Sequence, residues 1–177
     1  DLLNNGDFWD YGQMGMTQDA VVLTANIFNP SFVGARMISL PKARIYNALG
    51  VTFPVWSGLD GTLAPAKVLD QHRDMFLIAA PLWLPPGGTT ISMYRLQDAA
   101  YPDFATLFGP TAITVPAYSI PPDADQLGTT DLLDTVDARF VNRSTQIGNF
   151  LFNAHTVAFS AAGSGFAAPE MYQIDTS

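Results

Sequence analysis

The chain has 177 residues, with Lys+Arg 8 against Asp+Glu 16 and a formal net charge of −8. This length fits one domain or a few repeats of a smaller unit, and the lack of clustered Lys and Arg excludes a nucleic-acid surface. Hydrophobic residues at 48% exclude disorder, and the absence of Cys excludes disulfides and thiolate metal sites.

In chain order, Asp1–Asp10 lacks a basic start followed by an apolar core, so any signal peptide is expected to have been removed already. Ala20–Phe28 is rich in apolar and β-branched residues and reads as a strand. Pro30 and Gly34 break it, and Ala35–Leu40 follows as a second strand. Val51–Trp56 alternates, but Pro54 removes a ladder donor, which places it at a sheet edge. Asp74–Ala80 and Thr90–Leu96 repeat the first two patterns on either side of the Pro85-Pro-Gly-Gly88 turn, next to Trp83. The apolar stretch Met75–Leu84 contains Pro81 and falls well short of the roughly 20 residues of a bilayer span. Ala112–Tyr118, with Pro116, reads as another outer strand.

Pro121–Gly128 is a loop. Thr130–Phe140 has Leu132, Leu133, Val136 and Phe140 at helical spacing behind a Thr/Asp start and is read as a short helix, or else as an irregular lead-in to a strand at Ala138–Val141. Gly148–Val157, a Gly/Ala-rich loop and Glu170–Ile174 form a third copy of the paired-strand pattern. Ala20–Ile27 and Met75–Ala80 are expected to be central strands buried on both faces, because their apolar runs are continuous.

The acidic residues comprise fifteen Asp and the single Glu170, and lysine occurs only at positions 42 and 67. Asp favours turns and caps, whereas Glu and Lys favour helices. With Gly 14 and Pro 13, the chain therefore reads as all-β and rich in turns. Three approximate units follow, 1–60, 61–120 and 121–177. A β-sandwich with long loops is the competing architecture.

Units of roughly 40–55 residues with an apolar inner strand and an edge-like outer strand have the form of β-propeller blades. Tyr11–Phe28 resembles the blade start of secreted bacterial propeller proteins of the sialidase-like kind. Asp137–Val157 and Met171–Asp175 are similar to another blade element of those proteins. The resemblance implies a propeller fold and a secreted, extracellular location. It implies no reaction: the S-x-D-x-G-x-T-W box is absent, and Ser57-Gly-Leu-Asp60-Gly-Thr62 spaces its Asp and Gly differently.

Among chemical sites, Asp123, Asp125, Asp131 and Asp134 fall within twelve residues, around Gly128. Calcium takes carboxylate and carbonyl oxygens from such loops, although Leu127 breaks the EF-hand spacing. A solvated turn with a helix cap accounts for the same residues without a metal. His72 reads as a loop residue, and His155 as a strand residue facing a channel or packing. Gly163-Ser164-Gly165 lacks the nucleophile-elbow pattern. The clustered aromatics Phe8, Trp9 and Tyr11 read mainly as packing between blades. Asn142-Arg-Ser144 is an N-glycosylation sequon, relevant in a eukaryotic source.

These readings give a secreted, non-catalytic propeller segment with a structural or binding role, completed by other polypeptide chains, whether fragments of one precursor or copies of itself. Three units fall short of the roughly four to eight blades of a closed ring. The alternative is part of a secreted carbohydrate-active hydrolase whose site is shared between blades, with carbohydrate as the partner.

Overall fold

Strands whose two faces are both covered need apolar residues throughout, whereas strands with one face open alternate. Both kinds occur here, arranged in three antiparallel meanders. The computed structural model describes residues 6–81, 86–161 and 164–177. Asp1–Asn5, the 82–84 end of the apolar run, Trp83, Pro85 and Gly163 lie outside the described residues.

The first meander consists of β1 (Phe8–Met16), β2 (Ala20–Phe28), β3 (Phe32–Pro41) and β4 (Val55–Leu59), each antiparallel to the next. A five-residue helix, α1 (Lys42–Tyr46), lies between β3 and β4 and buries none of its residues. The second meander is β5 (Ala64–Val68), β6 (Met75–Ala79), β7 (Gly88–Gln97) and β8 (Thr106–Tyr118). Two dipeptides, β9 (Ala124–Asp125) and β10 (Leu132–Leu133), pair with each other as a separate ladder. The third meander is β11 (Ser144–Ile147), β12 (Phe150–Ala161) and β13 (Ser164–Asp175).

The meanders are joined through their first strands, which run parallel. Met16 of β1 is the partner of Lys67 in β5. Ser144, Thr145 and Gln146 of β11 are partners of Ala66, Lys67 and Val68. The β1–β5 approach is close enough to require glycine at position 15, where an added Cβ would stand 2.5 Å from Ala66 O and 2.7 Å from Pro65 Cβ.

Buried polar side chains strengthen the same seams. Thr24 donates to Leu63 O at 2.7 Å, and the Asn26 amide exchanges hydrogen bonds with Thr62, at 2.6 Å from its backbone N–H and 3.1 Å to its hydroxyl. Gln146, fully buried, bonds the backbone of residues 74 and 76. A buried donor or acceptor left unpaired costs about 1–3 kcal/mol. These contacts therefore hold one meander against the next as well as satisfying the groups themselves.

The apolar run at Met75–Ala79 is central in its sheet and buried at every position. β2 is likewise central, with a continuously buried stretch over 24–27. Of the two segments expected at sheet edges, Val51–Pro54 forms no strand and β4 begins at Val55, while β8 carries Pro110 and Pro116; both strands are marginal, whereas Pro65 lies in the central β5.

The helix expected at Thr130–Phe140 does not form, and neither does the strand at Ala138–Val141. Local side chains take the backbone donors a helix would use: Thr129 Oγ1 accepts from Asp131 N, Asp134 Oδ1 from Val136 N, and Asp137 Oδ1 from Arg139 N. Val136 has φ 65°, a left-handed conformation that a right-handed helix cannot contain. Among the described residues, no helix is long and apolar enough to cross a membrane.

Candidate functional site

Alternation along the first strands divides their side chains into two sets. Gly15, Ala66, Val68, Ser144 and Gln146 are buried, while Met14, Lys67 and Thr145 point the other way. The second set lines a cleft of about 600 Å³ together with Gly12, Gln13, Leu69, Val141, Asn142 and Arg143. All three meanders contribute: β1 from one side, β5 at the centre, and β11 with the segment before it from the other.

Gln13 braces this arrangement. Its Nε2 donates to Phe140 O at 3.0 Å, which ties β1 to the segment leading into β11. Beside it, Arg139 stacks 5.0 Å from the Tyr11 ring centroid and pairs with Asp137. A second cavity of about 250 Å³, lined by Trp9, Leu23, Thr24 and Ala25, shares the Gly12–Met14 wall. Trp9 Nε1 and Gln13 Oε1 are buried without a hydrogen-bond partner among the described residues.

The electrostatics of the cleft contrast with those of the whole chain. Most of its cations are occupied elsewhere. Arg36 pairs with Asp7, Arg95 lies 3.8 Å from Asp74, Lys42 donates to Thr17 O at 2.5 Å, and Arg44 donates to Gly50 O at 2.5 Å. The Lys67 and Arg143 side chains make no hydrogen bond or ion pair among the described residues, and no Asp or Glu lines their cleft. A chain of net charge −8 thus presents two unpaired cations in one concavity.

The buried histidine forms a different site. His155 Nδ1 donates to Ala138 O at 2.7 Å. The ring stacks on Phe140 at 4.8 Å and meets the edge of Tyr118 at 5.0 Å. The Tyr172 hydroxyl lies 3.0 Å from Nε2 and donates to Glu170 Oε2 at 2.7 Å. Burial is the largest influence on the imidazole and lowers its pKa, outweighing Ala138 O and Glu170. Burial and then Glu170 raise the Tyr172 phenol. Its contacts are those of inter-meander packing, and His155 does not line the cleft.

The four Asp residues of the loop are exposed. Asp125 lies in β9 opposite Leu132, and Asp134 accepts from Val136 N. Among the described residues, no group of three or more His, Cys, Asp or Glu side chains is disposed to hold a metal ion. Asn142 is exposed on the cleft wall, and its backbone carbonyl accepts from Asn153 Nδ2 at 3.1 Å. His72 lies in the loop before β6, where its backbone N–H donates to Asp70.

Sequence reasoning did not single out Lys67, Arg143 or Gln13. A usable signal existed in the scarcity of cations: Lys67 is one of two lysines and sits in an otherwise apolar run, Ala64–Val68. Comparison with known proteins finds no matching family model, no matching curated protein and no matching solved structure.

Proposed function

We propose that this chain is a secreted, non-catalytic β-propeller segment with a binding role, its ring completed by other polypeptide chains. The observation that carries this reading is the parallel seam of first strands, β1 to β5 to β11, from which successive antiparallel meanders run outward. Propeller blades are four-stranded sheets repeated around a central channel. Two of the meanders here have four strands and the third has three. On this reading the cleft on the seam faces that channel.

The chemistry of the cleft favours binding over hydrolysis. Glycoside hydrolysis uses a pair of carboxylates flanking the scissile bond. The cleft lining offers cations, amides, a hydroxyl and apolar surface, and no carboxylate.

Light scattering combined with intact mass spectrometry tests the assembly. The expected result is a complex larger than one chain. A monodisperse species of 19.1 kDa would instead favour a self-contained sandwich.

A further inference from the structure

We propose that the cavity beside an irregularity in β1 binds a small uncharged primary amide. The ligand carbonyl accepts from Trp9 Nε1, and the ligand N–H donates to Gln13 Oε1. The inference concerns the first meander alone and stands whether or not other chains complete a ring.

Two residues of β1, Tyr11 and Gly12, stand opposite the single Ala25, because Asp10 partners Asn26 and Gln13 partners Thr24. This is a β-bulge, which interrupts the ladder and re-aims the side chains around it. Tyr11 takes φ 54°, a left-handed conformation disfavoured for a residue with a Cβ. Its neighbours hold it there. Arg139 stacks 5.0 Å from the Tyr11 ring centroid, and the Tyr11 N–H donates to Asp10 Oδ1 at 2.8 Å. Arg36, paired with Asp7, lies 5.5 Å from the Trp9 ring centroid. Strained backbone braced in this way clusters at ligand sites.

Trp9 and Gln13 both line the cavity of about 250 Å³ at the bulge, and Met14, 43% exposed, brings its wall to the surface. A cavity of roughly 150 Å³ already accommodates a benzene ring. Trp9 Nε1 can only donate and Gln13 Oε1 can only accept, and both are buried without a partner among the described residues. Buried polar atoms of native proteins are nearly always paired. Gln13 Nε2 donates to Phe140 O, which fixes the end of the amide that remains. The Thr24 hydroxyl donates to Leu63 O and so has no proton for Gln13.

One donor and one acceptor on the same cavity select a ligand carrying the reverse pair. A carboxylate would satisfy Trp9 and repel Gln13 Oε1. An ammonium would satisfy Gln13 and offer nothing to the indole N–H. A primary amide has its carbonyl and its N–H on separate atoms of one planar, uncharged group. An alcohol carries both functions on one oxygen, as water does, and gains less over the solvent it displaces. The apolar lining, Met14, Leu23 and Ala25, suits a short aliphatic stem.

Nuclear magnetic resonance titration of the intact protein tests this, read at the Trp9 indole N–H and the Gly12 and Ala25 amides. The probes share one branched stem: isovaleramide, methyl isobutyl ketone, isovalerate, isoamylamine and isoamyl alcohol. Isovaleramide should shift the signals saturably. The ketone, acid and amine should bind roughly tenfold more weakly, because each leaves a buried group unpaired or repelled. The alcohol should fall between them and the amide. Trp9→Phe keeps a ring and removes the N–H, so it should weaken amide binding roughly tenfold and erase the advantage over the amine. Gly12→Val places its Cβ in open space, 4.0 Å from Thr24 O, and should block the cavity. Trp9→Phe remains informative should Gly12→Val fold poorly. No saturable shift, equal affinity for the ketone or the alcohol, or indifference to Trp9→Phe would each overturn the inference and leave ordered water as the partner of both groups.

Discussion

Gln146 stands in for a strand beside Phe76. Its Oε1 accepts the Phe76 backbone N–H at 3.0 Å while its Nε2 donates to Asp74 O at 2.9 Å. One side-chain amide thus reproduces the donor and acceptor pattern of a backbone neighbour where β6 begins. It also fixes the third meander against the second. Replacing it leaves a buried N–H and a carbonyl unpaired, so Gln146→Ala should destabilise the fold by about 2–4 kcal/mol, counting both orphaned groups. Urea denaturation reads this directly, and a loss below about 0.5 kcal/mol, the range of an ordinary surface change, would show the amide to be dispensable.

Gly15 faces a steric limit that Gly12, on the same strand, does not. A Cβ at Gly12 would come no closer than 4.0 Å to Thr24 O, whereas one at Gly15 meets Ala66 O at 2.5 Å. Gly15→Ala should cost about 1–3 kcal/mol through forced separation of β1 and β5. Gly12→Ala should stay within about 0.5 kcal/mol. Thermal denaturation of the pair checks the contrast, and equal effects would mean that the seam yields easily.

His155 makes stability depend on pH in a defined direction. Burial depresses its folded-state pKa below the ordinary 6.5, so folding favours the neutral ring. The contribution is therefore complete above 6.5 and is lost progressively as pH falls below it, with a slope of at most about 1.4 kcal/mol per pH unit. The half-buried Asp70 carboxylate, lowered by the Gly148 and His72 N–H groups, acts in a separate and more acidic window, below its ordinary 3.8. His155→Gln should flatten the stability profile between pH 4 and 7, as roughly one linked proton requires. An unchanged slope in that variant would remove His155 from the account.

Tyr94 is 4% exposed and donates to Asp60 Oδ2 at 2.9 Å. Burial first, and then the Asp60 carboxylate, push its phenol up to about 12 from the ordinary 10.0. Because the folded-state value is raised, this group's contribution is complete below 10 and is lost as pH rises towards 12. Ultraviolet titration of the folded protein should show a late-ionising tyrosine that disappears in Tyr94→Phe. The variant should also lose about 0.5–1.5 kcal/mol for the missing hydrogen bond. A titration curve identical to that of the parent would assign the late step to another residue.

Legibility in the sequence followed burial. β6 is covered on both sides, and its uninterrupted apolar run identified it directly; β2 is only partly so, since Val21 and Leu23 are half-buried and its continuously buried part, Thr24–Ile27, includes two polar residues. Pro116 marked a margin for an equally physical reason, since proline has no N–H for a ladder, whereas the strand expected at Val51–Trp56 begins only at Val55 and Pro65 sits in the central β5. The first strands gave little signal. Ala64-Pro-Ala-Lys-Val68 contains Pro65 and a lysine, and Ser144-Thr-Gln-Ile147 is mostly polar, because one face of each looks into the cleft. The periodicity at Thr130–Phe140 misled for a different reason: Asp and Thr side chains captured the backbone donors, which apolar spacing cannot reveal. Lys67 and Arg143 are 76 positions apart in the chain, and only the Thr145–Lys67 pairing brings them together.

Among the described residues, every ladder within a meander closes between strands that follow one another in the chain, and between meanders the ladders run only through the first strands. The seam therefore concentrates the dependence of one ladder on another: a main-chain shift at Ala66–Val68 reaches β1 and β11 at once, because both take their register from β5.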